Sequence, residues 1–373
     1  MLAADTAIGE FIPFSTHVAP GVLKTTGGDY LLAWQLGGLP FVGRDEWDIE
    51  HRHGTFNRLL QTLRAPDFAN IAFWVHDTRR RRRIQAGGKF AQAFNQDLSD
   101  CYFDALSSQK IMQNELYLTM IYRPVVGGKR LVERSADISQ LQSEQDHAIA
   151  KLQELAGNVE AVLKDYSPRR LGTYEAANGV VFSEVLEFLA YLLNRIDEPV
   201  PVLDAPIHSY LPVSRHLFSA KTGDFLVCTP HGVNHYGAIL NIKEYTDGTY
   251  PGILNALKYL DFEYVITHSF SPIGRQDALR VLDRTKGAMI SSGDKAVSQI
   301  IELDHAMDEL ASGNFVLGEY HFTMAVYADS QERLAQNIAT ARAELSNAGF
   351  VSTKEDIAIA ASFPITCAAT CVT

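Results

Sequence analysis

Phosphate binding is the first chemistry to look for, because glycine-rich backbone followed by Lys and a hydroxyl cradles an anion with N–H groups and an ammonium. Gly87-Gly88-Lys89 and Gly127-Gly128-Lys129 lack both the upstream glycine at the needed spacing and the following hydroxyl. Between Gly287 and Lys295 the spacing is wrong, with Asp294 set between Gly293 and Lys295. No GxGxxG follows a strand-like run, and no GxSxG nucleophile elbow is present. His51 and His53 flank Arg52, and His231 and His235 share a glycine-containing loop. Either pair could supply half of a zinc site, but no Cys or HExxH pattern adds the remaining ligands. His76, His268 and His321 lie inside apolar strand-like runs and read as sheet histidines with hydrogen-bond partners. Cys367 and Cys371 enclose three residues, which is neither a redox CxxC nor a zinc pair. No catalytic, cofactor-binding or metal-ligating residue is therefore assigned.

The strongest local anomaly is the run Arg79, Arg80, Arg81, Arg82, Arg83. Five adjacent guanidinium groups repel one another, so the run needs a reason. The bland reading is a solvated loop at the end of the strand Asn70 to His76. The functional reading is a docking surface for an anionic membrane, an acidic partner or nucleic acid. At a membrane each Arg adds about 1 kcal/mol. No aromatic is interleaved, which weakens the case for single-strand stacking.

These residues need elements to position them. Asp29 to Leu36, Asn70 to His76 and Glu115 to Tyr122 read as strands, with helices over Gly54 to Leu63 and Phe90 to Leu106 between them. The second half repeats the order. It has strands at Tyr236 to Tyr245, Glu263 to Phe270 and Glu319 to Tyr327, and helices at Pro251 to Tyr259, Gln276 to Leu310 and Ser330 to Ser346. Between the halves, Asp137 to Asn194 is mostly helical, and proline-rich Asp197 to Pro212 is a surface connector. Two narrow apolar stripes stand out, Ala148-Leu152-Leu155-Val159-Val162 and Val297-Ile300-Leu303-Met307-Leu310. They read as helices packed on their own sheets, or in part as a subunit contact. The expected fold is α+β, two pseudo-repeated sheet-plus-helix layers joined by a helical segment. The expected parts are 1–135, a helical and connector segment 136–235, a second α/β part 236–361, and an atypical tail 362–373, whose residues Pro364 to Thr373 have no packed role if they are an accidental end.

Composition is that of a globular chain of 373 residues, 46% hydrophobic and 21% charged. Four scattered cysteines fit a reducing compartment. The first 14 residues carry no basic group, which argues against a signal peptide, and no run suits a membrane span. The formal net charge is −11, concentrated after residue 135, and an acidic body argues against a general nucleic-acid binder.

FIPFSTHV at 11–18, TRRRRR at 78–83, NELYLTMIYRPV at 114–125, FSEVLEFLAYLLN at 182–194, DFEYVITHSFS at 261–271 and SGNFVLGEYHFTMAVY at 312–327 together resemble the VirB/TrbE/CagE family. These are the large ATPases of type IV secretion and conjugation. The resemblance spans about Met1 to Ala361 and implies the family's N-terminal part. The family's ATP- and Mg-binding motor has no counterpart in these residues. The resemblance further implies a domain at the cytoplasmic face of the inner membrane that self-associates and docks onto small membrane subunits of the channel. The rival expectation is a nucleic-acid module acting through Arg79 to Arg83.

Overall fold

The computed structural model describes residues 8–39, 43–62, 70–82, 88–107, 109, 111–124, 138–291, 297–356, 359 and 363. The N-terminal half runs β1 (Phe14–Ala19), β2 (Val22–Thr25), β3 (Tyr30–Leu36), α1 (Glu46–Thr62), β4 (Ile71–Arg82), α2 (Ala93–Ser107), β5 (Ile111–Tyr122), α3 (Ile138–Val162) and β6 (Pro168–Arg170). A small ribbon of β7 (Thr173–Glu175) and β8 (Val181–Ser183) leads into α4 (Glu184–Asn194), followed by the short α5 (Ile207–Tyr210). The C-terminal half runs β9 (Arg215–Ser219), β10 (Asp224–Cys228), β11 (Asn234–Glu244), a 3₁₀ turn (Asn255–Tyr259) and β12 (Tyr264–Pro272). It closes with α6 (Arg275–Ser291), α7 (Val297–Ser312), β13 (Gly318–Ala328), α8 (Gln331–Asn347) and β14 (Val351–Lys354).

The α+β expectation and the repeated order hold, but the halves are not separate layers. Their strands form one 12-stranded sheet in the order β1-β2-β3-β5-β4-β12-β13-β11-β10-β9, with β6 added to β3 and β14 to β11. The order reads the same from either edge once β1 to β6 are matched to β9 to β14. The chain is therefore a pseudo-two-fold repeat whose axis lies between β4 and β12. These two strands pair antiparallel from Phe73 opposite Phe270 to Arg79 opposite Tyr264. Segment 136–235 is also more than helix and connector, since β9 and β10 form an edge of the sheet.

Strand alternation sends side chains to two faces. On one face, Leu32, Trp34, Phe73 and Met120 pack under Leu152, Leu155 and Val159 of α3. The same face of the other half packs Leu240, Tyr264, Met324 and Val326 under Leu334 and Leu345 of α8. The first apolar stripe thus covers its own sheet, as the bland reading expects. The second does not: α7 packs against α6 as a helical hairpin, and Ile300, Leu303 and Met307 are only half-buried.

The opposite face is covered by α4, every residue of which is buried except Glu184 and Glu187. Ser183 caps it, its hydroxyl accepting from the Leu186 N–H at 3.3 Å. Burying each Leu, Val or Phe there contributes about 1.5–3 kcal/mol. Because α4 packs against Trp74 and Tyr117 of one half and Val265 and Tyr327 of the other, it fastens the two repeats together.

Several sequence expectations need correction. Pro251 to Tyr259 forms only the short 3₁₀ turn, and Gln276 to Leu310 is two helices rather than one. Just before Pro364, Phe363 is fully buried among Phe218, Phe225 and His216, with ring centroids 4.8–5.6 Å away. Residues 364–373, with Cys367 and Cys371, lie outside the described residues.

Candidate functional site

The arginine run belongs to β4, not to a loop. The ladder with β5 continues past His76 to Arg82 opposite Ile111, so successive arginines point to opposite faces. Arg79 and Arg80 are buried, Arg82 is half-buried and Arg81 is exposed. Arg83 lies outside the described residues. The reason is that carboxylates and carbonyls come to meet them. Sequence order alone hides these partners, since each lies more than thirty residues away.

Arg79 donates through Nε to the Leu260 carbonyl and through Nη1 to Asn114 Oδ1 at 2.9 Å. On the α4 side, Arg80 Nη2 lies 2.7 Å from Glu115 Oε2, and Arg82 Nη2 lies 2.9 Å from Glu115 Oε1. Both guanidiniums also reach Asp197 Oδ2, at 3.2 and 2.6 Å. The Tyr117 hydroxyl donates to Glu115 at 3.0 Å. Burial alone would raise the Glu115 carboxyl, but the charges and hydrogen bonds of Arg80 and Arg82 outweigh it and hold its pKa below the ordinary carboxylate range.

The network crosses to the second half through α4. The Arg80 and Arg195 guanidiniums each lie 4.5 Å from the centroid of the Tyr191 ring, and Arg195 lies 4.0 Å from that of Tyr327. Arg195 Nη2 pairs with Glu263 Oε2 at 3.2 Å. The other Glu263 oxygen accepts the Arg81 backbone N–H at 2.9 Å. Arg195 sits at the C-terminal end of α4 in the left-handed region, with φ of 59°. That conformation costs a non-glycine residue about 1–2 kcal/mol. The aromatic and carboxylate contacts on its side chain, and the negative end of the helix dipole, offset it.

Arg80, Arg82 and Arg195 thus face Glu115, Asp197 and Glu263 where β4, β5, α4, β12 and β13 meet. Each of these six charges has an opposite partner, so the arrangement holds elements together.

The other sequence candidates are not brought together. His51 stacks on Trp47 along α1, with centroids 5.2 Å apart. His231 pairs with Glu198 at 3.0 Å, while the half-buried His235 sits on β11. Among the described residues no group of three or more His, Cys, Asp or Glu could hold a metal ion. His76 is buried and hydrogen-bonded to Thr267 at 3.0 Å, and His268 to the Tyr320 hydroxyl at 2.7 Å. His321 sits on β13 with its side chain exposed. Gly287 lies within α6, and Gly127 to Lys129 lie outside the described residues. A cleft of about 280 Å³ lies over Asp77, Lys258 and His268, where Asp77 and Lys258 already pair at 3.7 Å. Among the described residues no helix is long and apolar enough to cross a membrane.

The two repeats thus share one sheet, with a cluster of mutually paired charges where they join. Comparison with known proteins gives the family. Residues 169–363 match the model of the CagE, TrbE, VirB family, a component of the type IV transporter system. Residues 21–129 match the N-terminal domain of the type IV secretion system ATPase VirB4/TrbE. The chain belongs to the CagE, TrbE, VirB family. It is 34% identical over 371 residues to the type IV secretion system protein virB4 of Brucella suis biovar 1, covering 96% of this chain and 44% of that protein. It is 33% identical to PtlC of Bordetella pertussis, covering 96% of this chain and 43% of that protein. The virB4 protein of Bartonella henselae is 30% identical, covering 97% of this chain and 46% of that protein. The chain thus spans less than half the length of these relatives.

Proposed function

We propose that this chain is the N-terminal assembly and docking domain of a type IV secretion ATPase. It acts as a rigid platform and does not hydrolyse ATP by itself. The observation that supports this reading is the weld between the two family-matched regions. β4 belongs to the first and β12 to the second, and they pair directly across the Arg80–Glu115–Arg195–Glu263 cluster. A platform that must not flex under load benefits from such a seam, because packed interfaces resist continuous deformation.

In this reading the domain sits at the cytoplasmic face of the inner membrane, peripheral to it, and binds small inner-membrane subunits of the channel. An anionic membrane surface remains part of the proposal, but within the described part of the run, 79–82, Arg81 is the arginine whose side chain is exposed to meet it. Nucleic acid is disfavoured, because Arg79, Arg80 and Arg82 are already engaged by partners within the fold. The test is co-purification of the full chain with each small inner-membrane subunit encoded beside it. Stable capture of at least one subunit is expected. Capture of none, together with tight salt-sensitive DNA binding, would replace this reading with the nucleic-acid one.

A further inference from the structure

The pseudo-two-fold places two helical excursions at opposite ends of the sheet. α2 leaves β4 after Arg82 and the chain returns at Ile111, which pairs with Arg82. The α6–α7 hairpin leaves after Pro272 and returns at Gly318, which pairs with Pro272. Because β4 and β12 are antiparallel, the second exit lies beside the start of β4, roughly 30 Å along the strand from the first at about 3.3 Å per residue. The two excursions therefore leave from opposite ends of the central strands.

Their surfaces are complementary. No residue of α2 is buried. Phe94, Leu98 and Tyr102, four residues apart, are 74%, 60% and 60% exposed and form one apolar stripe. Asp97 lies beside that stripe next to Phe94, while Asp100 and Asp104 lie farther round the helix, and the helix carries no Lys or Arg. An acidic flank is poorly suited to an anionic membrane, where amphipathic helices carry cations. On α6, the half-exposed Val281 is bordered by Arg280 and Arg284, both exposed. Arg280 pairs with Asp277 one turn back, at 2.6 Å, on a surface where such a pair contributes little.

We propose that α2 of one copy docks against α6 of a second copy, with the Phe94–Leu98–Tyr102 stripe over Val281 and the aspartate flank facing Arg280 and Arg284. The inference rests on the assembly reading and deepens it by naming the self-association surface. Different patches meet, so the contact is head-to-tail and propagates into a ring or a filament instead of stopping at a two-fold dimer. One helix pair is a small interface, so the association is weak and sensitive to salt.

Sedimentation of the full chain over a concentration series at low and high salt tests it. The unaltered protein should associate at low salt and dissociate at high salt. The pair Asp97→Lys with Asp104→Lys, and separately Arg280→Glu with Arg284→Glu, should each weaken association at least about tenfold. Mixing the two variants should restore it, because each then meets an opposite charge. Both helices are exposed, so circular dichroism should show unchanged folding, and Phe94→Ser gives an uncharged second test of the stripe. A chain that stays monomeric throughout, reversals without effect, or a mixture that fails to recover would each overturn the proposal. So would binding of a basic amphipathic peptide to α2 of a monomeric chain, which would give the surface to another partner. Loss of subunit capture with self-association intact would instead fault the docking reading alone.

Discussion

Arg80 of β4 and Glu115 of β5 form an ion pair at 2.7 Å with side chains only 7% and 4% exposed. Their strands are neighbours in the sheet, yet the pair gains its position from α4, whose Tyr191 ring lies against the Arg80 guanidinium. Removing one partner leaves the other charge buried, which costs about 3–5 kcal/mol. Arg80→Ser and Glu115→Gln should each lower unfolding stability in urea by an amount of that order, whereas Arg81→Ser should stay within about 0.5 kcal/mol. Equal, near-zero effects at Arg80 and Arg81 would return the run to a surface role.

His76 supplies a pH dependence of known sign. Burial, with a smaller push from His268, holds its imidazole down to about 3. His268 is likewise held down, to about 4, by burial and then by Lys258. In the unfolded chain both protonate below their ordinary value of 6.5. As pH falls below that value the unfolded state binds more protons, so stability drops through the interval toward about 3. Glu115 and Glu263, held below the ordinary 4.5, add their loss only at lower pH. His76→Gln should therefore flatten the decline in melting temperature between about pH 6.5 and 5. An unchanged slope would show that His76 does not contribute.

Phe363 closes the aromatic cluster against Phe225 and Phe218. Truncating a fully buried Phe costs about 3–5 kcal/mol. Phe363→Ala should lower the urea midpoint clearly, while ending the chain after Phe363 should leave it nearly unchanged. A midpoint insensitive to Phe363→Ala would mean that the segment only rests on the sheet.

The chain by itself should neither bind nor turn over ATP. The motivation is the lack of a Lys-bearing phosphate loop in the sequence, in a chain that covers 44% of its virB4 relative. A thermal-shift series with Mg-ATP and a phosphate-release assay check this. Micromolar binding of ATP would refute it.

The far edge of the second half is also open to a close-packing test. Gly237 of β11 lies so near the Phe225 ring that an added Cβ would sit 2.3 Å from it. Gly237→Ala should cost about 1–3 kcal/mol in stability, since Phe225 is buried and cannot move freely. Full tolerance would show that this corner of the core has room.

The sequence by itself determined the strands whose alternation or apolar content is local: Tyr30–Leu36, the first half of Ile71–Arg82, Tyr264–Pro272 and Gly318–Ala328. It determined the helix stripe of Leu152, Leu155 and Val159, the repeated order of elements and the family, because periodicity and ordered motifs are carried within short windows. Tertiary structure alone decided that the two halves share one sheet, since an edge-to-edge pairing such as Phe73 with Phe270 joins residues nearly two hundred apart. It likewise decided the fate of the arginines. A run of five cations reads as solvated until Glu115, Asp197 and Leu260 are placed around it, because the energy of a charge depends on neighbours that chain order does not reveal.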